Sequence, residues 1–327
     1  QRDRAENPAK HGSRSYACAR RPASYHERAR MSRVVLQTWN CFGAAQTAGA
    51  VLRRRGPPDA HRFEHPTLRT TLEEADIVCF QEVFLTDVES FFDRLAHGFK
   101  HRDNNLSTFW PLTFGGSGLG IASRFPILDK LMRPFRRPQL GPERFARKGM
   151  LHARVHVAAS GAETEPFEVD VLTTHLQAGD AAEARRVREV QLHQIRDLVD
   201  EVGSLDRAFV VCGDLNIDGL RSGRETGEYV ALRRTLADFS DLGADDDHAT
   251  FHPHPEINPL AYRFEAAGPR QRIDYVLFRP PRAQHVTADA CQIVLDRPLD
   301  GGRTFASDHF GLRVVLRANG SRVTQVK

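Results

Sequence analysis

The chain has 327 residues, 40% hydrophobic and 27% charged, which is the composition of a globular protein with enough apolar material for a sizeable core. No apolar run approaches the roughly 20 residues that a membrane-spanning helix requires. The formal net charge of +4 is due to the basic residues 1–30, and the nearly neutral remainder counts against a protein dedicated to binding a polyanion.

Residues 1–30 precede Met31, which opens a segment that reads like a natural start. They lack the apolar core of a secretory signal, so we expect a disordered basic arm or non-native upstream sequence. A single catalytic domain is expected over 31–318, followed by a short tail over 319–327. The cysteines show no C-x-x-C spacing, which favours a reducing compartment, and the expected location is cytoplasmic.

Short runs in which apolar residues alternate with polar or small ones predict β-strands along the whole chain. The predicted strands cover residues 34–39, 77–80, 119–122, 151–157, 167–172, 208–211, 273–278, 291–295 and 312–316. The alternation is clearest where Val155 and Val157 are followed, one strand later, by Val169 and Val171. These runs are expected to be the strands of β-sheets, and with the helices predicted between them they indicate a single α/β domain.

Helices are predicted between some of these strands. Apolar residues recur at helical spacing over 181–202, and Asp180 is the expected N-cap. Shorter helices are expected over 68–75, 87–95 and 228–238. Residues 132–148 and 248–270 are predicted to be long irregular loops, and loops of that length are often functional.

Polar side chains follow several of the predicted strands. The strand 208–211 leads into Asp214 and Asn216, which are spaced two apart and therefore project to one side of an extended chain. Each such residue alone is typical of a turn or a cap. Together they predict a pocket on one rim of a sheet, formed by Asn40, Glu82, His175, Asp214, Asn216, Asp274, Asp308 and His309.

The chemistry of this set predicts a metal site. Carboxylates and amides supply hard oxygen ligands, and no cysteine is among them, which favours Mg²⁺, with Mn²⁺ as a substitute, over Zn²⁺. His248, His252 and His254 lie close together in sequence and suggest zinc. The prolines in that segment and the lack of a fourth nearby ligand favour a rim loop instead.

The motifs TWNCFG, FQEVF, GLGIASRFPI, TTHLQ, GDLN, IDYVL and SDHFGL occur in this order between residues 33 and 318. They resemble the motifs of the endonuclease/exonuclease/phosphatase superfamily, the DNase I-like phosphoesterases. The resemblance implies an α/β (α+β) fold, a four-layered αββα sandwich of two packed mixed β-sheets. It also implies metal-dependent hydrolysis of a phosphate ester.

The resemblance implies roles for the residues that match its motifs. Glu82 would be the principal metal ligand with Asn40 beside it, and Asp308 would be a further ligand or an anchor. Whether one or two metal ions bind is left open by the sequence.

The remaining matched residues would carry the chemistry. Asp214 would orient or deprotonate the attacking water, and Asn216 and His175 would hold the phosphate oxygens. His309 would act as acid or base, steered by Asp274, because a carboxylate fixes the tautomer of an imidazole. The general base is either Asp214 or His309.

Within the superfamily, the segments QEVF, Lys148-Gly149 and THLQA look most like those of bacterial and neutral sphingomyelinases. The substrate would then be a choline phospholipid, cleaved to phosphocholine and ceramide. Lys148 either contacts a phosphate oxygen or only caps a strand. A nuclease acting on DNA, RNA or abasic sites is the alternative, and a catalytically silent binding module on the same fold is a more remote one.

Phospholipid is therefore the favoured partner and nucleic acid the second. Peripheral membrane contact is possible through Phe135 and Phe145, which lie among several arginines; the alternative is that both rings are packed in a solvated loop. The oligomeric state is not predictable from the sequence.

Overall fold

The computed structural model describes residues 32–43, 60–84, 86–102, 116–136, 140–141, 143, 147–158, 166–224, 227–282, 285–302 and 304–318. The predicted arm over 1–30 and the tail over 319–327 lie outside these residues. So does Phe145, one of the two rings of the predicted interfacial loop.

The described strands form two sheets. In chain order they are β1 (Ser32–Asn40), β2 (Ile77–Gln81), β3 (Phe99–Arg102), β4 (Gly120–Ser123), β5 (Ile127–Pro134), β6 (Gly149–Val157), β7 (Phe167–His175), β8 (Ala208–Asp214), β9 (Ser240–Asp241), β10 (Asp274–Arg279), β11 (Val286–Ala288), β12 (Gln292–Val294) and β13 (Gly311–Ala318). The first sheet has the order β11-β13-β1-β2-β4-β3, with β12 also paired to β13, and the second has the order β5-β6-β7-β8-β10-β9.

The described helices lie between these strands. They are a 3₁₀ helix (Ala60–Glu64), α1 (Pro66–Glu73), α2 (Thr86–Arg94), α3 (Ala182–Val202), α4 (Gly227–Thr235) and α5 (Pro259–Phe264). No helix within the described ranges is long and apolar enough to cross a membrane.

Strict alternation along the strands builds the layers. In β1, Val34 and Leu36 enter a cluster shared by both sheets, whereas Val35 and Trp39 face the other way, toward α1 and α2. The second sheet repeats the pattern, because the outer residues of β8 pack against leucines of α3 and α4. Since every central strand is buried on both faces, the chain forms the expected αββα sandwich of two mixed sheets.

Each predicted strand overlaps an observed one, most of them being shorter than the observed strand, and the four strands at the sheet edges, β3, β5, β9 and β11, were missed. The stretch 132–148, predicted to be irregular, begins inside β5, and β3 was not predicted at all. The prediction of an irregular loop over 248–270 was likewise wrong for α5, whose N-cap Asn258 accepts a hydrogen bond from the backbone of Ala261.

Two further expectations are corrected. The N-cap of α3 is Ala181, which makes no side-chain cap hydrogen bond, so Asp180 does not cap this helix. Phe135 is only 7% exposed and packs in the cluster beneath α3 with Leu172 and Leu198. It is therefore a core residue and not part of an interfacial loop.

The polar residues that were predicted to form the site lie at one end of the strands. Parallel pairing places Asn40 of β1 opposite Gln81 of β2, and His175 of β7 opposite Asp214 of β8. Strand β10 runs antiparallel and begins there, so that Asp274 is also opposite Asp214. The carboxyl ends of parallel strands meet at the same edge, and this edge is where the predicted site residues lie.

Gly213, just before Asp214, is a backbone position that no other residue fits. Its φ is +126°, and a Cβ there would lie 2.1 Å from the carbonyl oxygen of Thr174. We predict that Gly213→Ala lowers the free energy of unfolding by about 2 kcal/mol or more, because strain and a backbone clash add. Urea unfolding measures the change.

Gly98→Ala is the matched control, because nothing lies within 4 Å of a Cβ at that position. It should leave the urea midpoint near the wild-type value. Equal effects of the two substitutions would contradict the assigned backbone conformation of Gly213.

Candidate active site

The side chains of the site lie on the same inward faces of the strands that form the core. Along β1 the inward residues are Val34, Leu36, Thr38 and Asn40, so the side chains change from apolar to polar toward the rim. Beneath the rim, Gln81 Nε2 lies 3.1 Å from Thr38 Oγ1 and 2.9 Å from Thr173 Oγ1, to both of which it donates. This uncharged layer joins the two sheets and separates the apolar core from the charged site above it.

The carboxylate of Asp214 is the centre of the site. Its Oδ2 accepts a hydrogen bond from Asn40 Nδ2 at 3.0 Å and lies 3.4 Å from His175 Nε2 and 3.8 Å from His309 Nε2. Its Oδ1 accepts from the backbone N–H of Asn216 at 2.9 Å. One side chain of the second sheet thus contacts residues of four other segments.

Asn40 links Asp214 to Glu82. Its Nδ2 also donates to Glu82 Oε1 at 3.2 Å, and its Oδ1 accepts from the backbone N–H of Phe42 at 3.0 Å, which fixes the orientation of the amide. Glu82 has a φ of +64°, so the backbone turns sharply where β2 ends. Glu82 Oε2 is buried and has no hydrogen-bond partner among the described residues.

His309 is held by Asp274. Its Nδ1 lies 2.8 Å from Asp274 Oδ2, while Thr250 Oγ1 accepts from the backbone N–H groups of Ile273 and Asp274 at 3.1 Å each. The ring of Phe251 packs against His309 with 5.3 Å between centroids. Asp274 Oδ1 is buried and, within the described ranges, has no hydrogen-bond partner.

The segment that carries Asp308 and His309 is fastened to β1. Ser307 Oγ donates to the carbonyl oxygen of Asn40 at 2.7 Å, and it accepts from the backbone N–H of His309 at 3.1 Å. Asn258 Nδ2, just before α5, donates to the carbonyl oxygens of Ser307 and Asp308 at 3.0 and 3.1 Å. The first and last strands therefore supply adjacent parts of the site.

Lys148 and Asn216 meet at a backbone oxygen. Lys148 Nζ donates to the carbonyl oxygen of Leu176 at 2.6 Å and pairs with Glu143, and Asn216 Nδ2 donates to the same oxygen at 3.2 Å. Both side chains thus fix the loop that follows His175. Their predicted contacts with phosphate stay predictions.

Burial sets the charge state of the carboxylates. It raises the pKa of Asp214 to about 6, and nearby Asp274 adds to this although His309 opposes it. Burial likewise raises the pKa of Asp308 to about 6, with Glu82 contributing. It also raises the pKa of Glu82, against the hydrogen bond from Asn40. The site is therefore short of positive charge.

The pKa values of the two site histidines, His175 and His309, are shifted in opposite directions. Burial lowers the pKa of His175 well below its ordinary value, and the positive charge of Lys148 adds to the effect. Burial alone would also lower the pKa of His309, but the negative charges of Asp274, Asp308 and Asp214 outweigh it and raise that pKa well above its ordinary value. His309 is thus an imidazolium and His175 a neutral imidazole near pH 7.

The donor atoms fit a hard cation. Ligand atoms of Asp214, Asp274 and His309 all lie within 4.8 Å of one another. These residues are among those predicted to be catalytic. Because the imidazolium of His309 has no lone pair for a cation, the ion would be held by oxygen ligands, and the predicted ligands Asn40 and Glu82 adjoin Asp214. Buried unpaired oxygens on Glu82 and Asp274 are those of a site that accepts an oxygen-preferring cation such as Mg²⁺.

The possible zinc loop is not assembled. His248 pairs with the neighbouring Asp246, and the rings of His252 and His254 lie 6.1 Å apart. Within the part of the chain that the structure describes, these histidines belong to no cluster of three ligands. The prediction of a rim loop is consistent with these positions.

Sequence reasoning missed the residues that support the site from outside the motifs. These are Thr250, which holds the start of β10, Asn258, which holds the segment before His309, and Glu143, which pairs with Lys148. Asn258-Pro259 carried a readable signal, because a cap residue followed by proline is typical of a helix start. Thr250 acts through contacts with Ile273 and Asp274, far along the chain, for which the sequence holds no signal. Glu143 pairs with Lys148 within a segment that was predicted to be irregular.

Comparisons with known proteins identify the family and the fold. The sequence model described as the Endonuclease/Exonuclease/phosphatase family matches residues 38–309. Sphingomyelinase C of Bacillus cereus is 26% identical over 228 residues, which are 63% of this chain and 64% of that protein. The chain therefore spans somewhat less than two thirds of the length of this relative.

Solved structures share the fold. Beta toxin of Staphylococcus aureus, as a double mutant with bound magnesium ions, superposes with a TM-score of 0.65 at 17% identity, covering 86% of this chain and 98% of that one. TDP2 of D. rerio, complexed with single strand DNA product, superposes with a TM-score of 0.62 at 18% identity, covering 87% and 99%. At such identities the likeness shows the fold alone.

The charge of His309 is directly measurable. We predict that Asp274→Asn lowers the pKa of His309, because the neutral amide no longer stabilises the imidazolium. In the metal-free wild type His309 stays protonated through neutral pH, whereas in the variant it loses its proton at lower pH. Histidine ¹⁵N chemical shifts, followed in a pH titration, report the protonation state.

The matched control is Asp170→Asn, in a buried His–Asp pair away from the site, where His152 Nε2 lies 2.9 Å from Asp170 Oδ1. It should leave the titration of His309 unchanged. An unchanged His309 titration in Asp274→Asn would contradict the electrostatic account.

Proposed function

Since the chain belongs to the Endonuclease/Exonuclease/phosphatase family, we propose that its site is that of a Mg²⁺-dependent phosphodiesterase acting on a phospholipid. The family and the relatives indicate a phosphoric ester hydrolase. The observation that carries the proposal is the contact of Asp214 with Asn40 and with both site histidines. These groups can hold a phosphate and accept a proton in one small volume.

The protonation states suggest how the roles divide. An in-line displacement keeps the attacking and leaving oxygens on opposite sides of phosphorus. Asp214 Oδ2 and His309 Nε2 are only 3.8 Å apart, so both groups would lie on the same side of a bound phosphate. The imidazolium of His309 has no free site for a proton, and the carboxylate of Asp214 does.

Asp214 is therefore proposed as the general base that accepts the proton of the attacking water. The water oxygen forms the new bond to phosphorus while the bond to the leaving ester oxygen breaks, and that oxygen takes its proton from solvent to leave as the alcohol. His309 donates a hydrogen bond to a non-bridging phosphate oxygen and offsets its growing charge, with Asn216 and His175 as further phosphate contacts. Asp274 keeps His309 charged and oriented.

Glu82 would hold the metal ion, with Asn40 beside it and Asp308 as a further carboxylate. A bound Mg²⁺ would neutralise negative charge on the phosphate oxygens. The unpaired Oε2 of Glu82 supports this assignment. Mn²⁺ is the expected substitute, because it accepts the same oxygen ligands.

Phospholipid is the proposed substrate class, with cleavage to phosphocholine and ceramide. The relative named sphingomyelinase C supports it, as does the nearly neutral chain beyond residues 1–30, since a nuclease usually carries a basic surface. Peripheral contact with a membrane follows from such a substrate. The cytoplasmic location stays a prediction.

The substrate assignment is tested on vesicles. With Mg²⁺, the protein should release phosphocholine from sphingomyelin vesicles, and EDTA should stop the release. Bis(p-nitrophenyl) phosphate and plasmid DNA serve as parallel substrates, and Glu82→Gln is the control for contaminating activity. Cleavage of the nitrophenyl ester without phosphocholine release would reject the lipid, and efficient DNA nicking would favour the nuclease.

The role of His309 is tested by truncation. His309→Ala should lower kcat on bis(p-nitrophenyl) phosphate by about 10² to 10³, the usual loss when one donor to a developing charge is removed. His152→Ala removes a buried histidine that pairs with Asp170, outside the proposed site, and should keep kcat. Equal kcat values for His309→Ala and the wild type would contradict the role of His309.

A further inference from the structure

Arg62, in the 3₁₀ helix, is fully buried although it belongs to no motif of the site. Its guanidinium donates through Nε to the carbonyl oxygen of Ala306 at 2.8 Å. Through Nη2 it donates to the carbonyl oxygens of Cys41 at 2.9 Å and Phe42 at 2.6 Å. Burying a permanent charge costs desolvation free energy, so a buried arginine with such contacts indicates a structural or functional role.

The three carbonyls belong to two segments that carry site residues. Cys41 and Phe42 directly follow Asn40, and Phe42 donates its backbone N–H to the Asn40 amide oxygen. Ala306 directly precedes the segment of Ser307, Asp308 and His309. One side chain thus joins the segment after the first strand to the segment before the last.

The shape of arginine suits this contact. A planar guanidinium presents several N–H donors in a rigid fork, whereas a lysine has a single nitrogen. The guanidinium also packs 4.3 Å from the ring centroid of Phe63 and 5.7 Å from that of Phe42. These contacts hold the fork in one orientation.

We propose that Arg62 is a positioning residue of the hydrolytic site, which sets the spacing between the Asn40–Glu82 pair and the Asp308–His309 segment. Its nitrogens point at backbone carbonyls, so it acts through Asn40 and His309 and not on the substrate. The proposal rests on the hydrolase function proposed above and on no particular substrate.

The matched control is Arg279, at the opposite end of β10 from Asp274. Arg279 is also buried, donates to the carbonyl oxygen of Ser204 at 3.3 Å, and lies 5.3 Å from the ring centroids of Phe209 and Phe239. It resembles Arg62 in burial and in its contacts with rings and a carbonyl, but it also pairs with Asp238 at 3.1 Å and lies away from the site.

The test compares Arg62→Lys with Arg279→Lys in the full chain. Arg62→Lys keeps the charge and loses the fork, and Arg62→Met removes the buried charge as well, which gives a second variant if the lysine does not fold. We expect kcat on bis(p-nitrophenyl) phosphate and affinity for Mn²⁺ to fall by about 10- to 100-fold in either folded Arg62 variant. Arg279→Lys should lower the melting temperature and leave both quantities unchanged.

Affinity for Mn²⁺, measured by calorimetry without substrate, separates this proposal from the proposed function. Weaker Mn²⁺ binding in the Arg62 variants supports the positioning role even if sphingomyelin proves not to be a substrate. Wild-type kcat and wild-type Mn²⁺ affinity in a folded Arg62 variant would overturn it. Equal losses of kcat in the Arg62 and Arg279 variants would also overturn it, because the effect would then be one of stability.

Discussion

The hydrogen bond between Asn40 and Asp214 is the interaction on which the site depends, because it joins the two sheets at their polar rim. Asn40 ends β1 of the first sheet and Asp214 ends β8 of the second, and their side-chain atoms are 3.0 Å apart. Both residues extend the inner faces that form the shared core. The geometry of the site is thus a consequence of how the sheets pack, and a shift of one sheet against the other would separate the ligands from the base.

Burial also determines the protonation states of these residues. Carboxylates crowded in a desolvated rim hold their protons more strongly, and the pKa of Asp214 rises to about 6. Their combined charge keeps His309 protonated, while His175 stays neutral, because it is equally buried and the positive charge of Lys148 also lowers its pKa. An oxygen-preferring cation would relieve this crowding. Burial of the carboxylates at the rim therefore explains both the charge states of the histidines and the expected metal dependence.

The features of the fold that depend on local sequence patterns could be predicted from the sequence. The alternating strands and the gathering of polar residues at strand ends could be read from period and order, whereas the αββα sandwich was implied by the resemblance of the seven motifs to the superfamily. It did not predict the edge strands: charged residues interrupt the apolar ones in β3 (FKHR) and β5 (ILDKLMRP), and β9 and β11 have only 2 and 3 residues. Nor did it predict Arg62 or Thr250, because their contacts join residues far apart in the chain. The functional roles of the site residues remain predictions.

Anomalous diffraction from crystals soaked in Mn²⁺ tests the central claim most directly, namely that residues of both sheets share one cation and one phosphate. The account predicts a strong peak bonded to Glu82, beside the Asn40–Asp214 contact, with His309 still paired with Asp274. A peak that avoids Glu82, or a strong peak only at the exposed histidines His248 and His254, would contradict it.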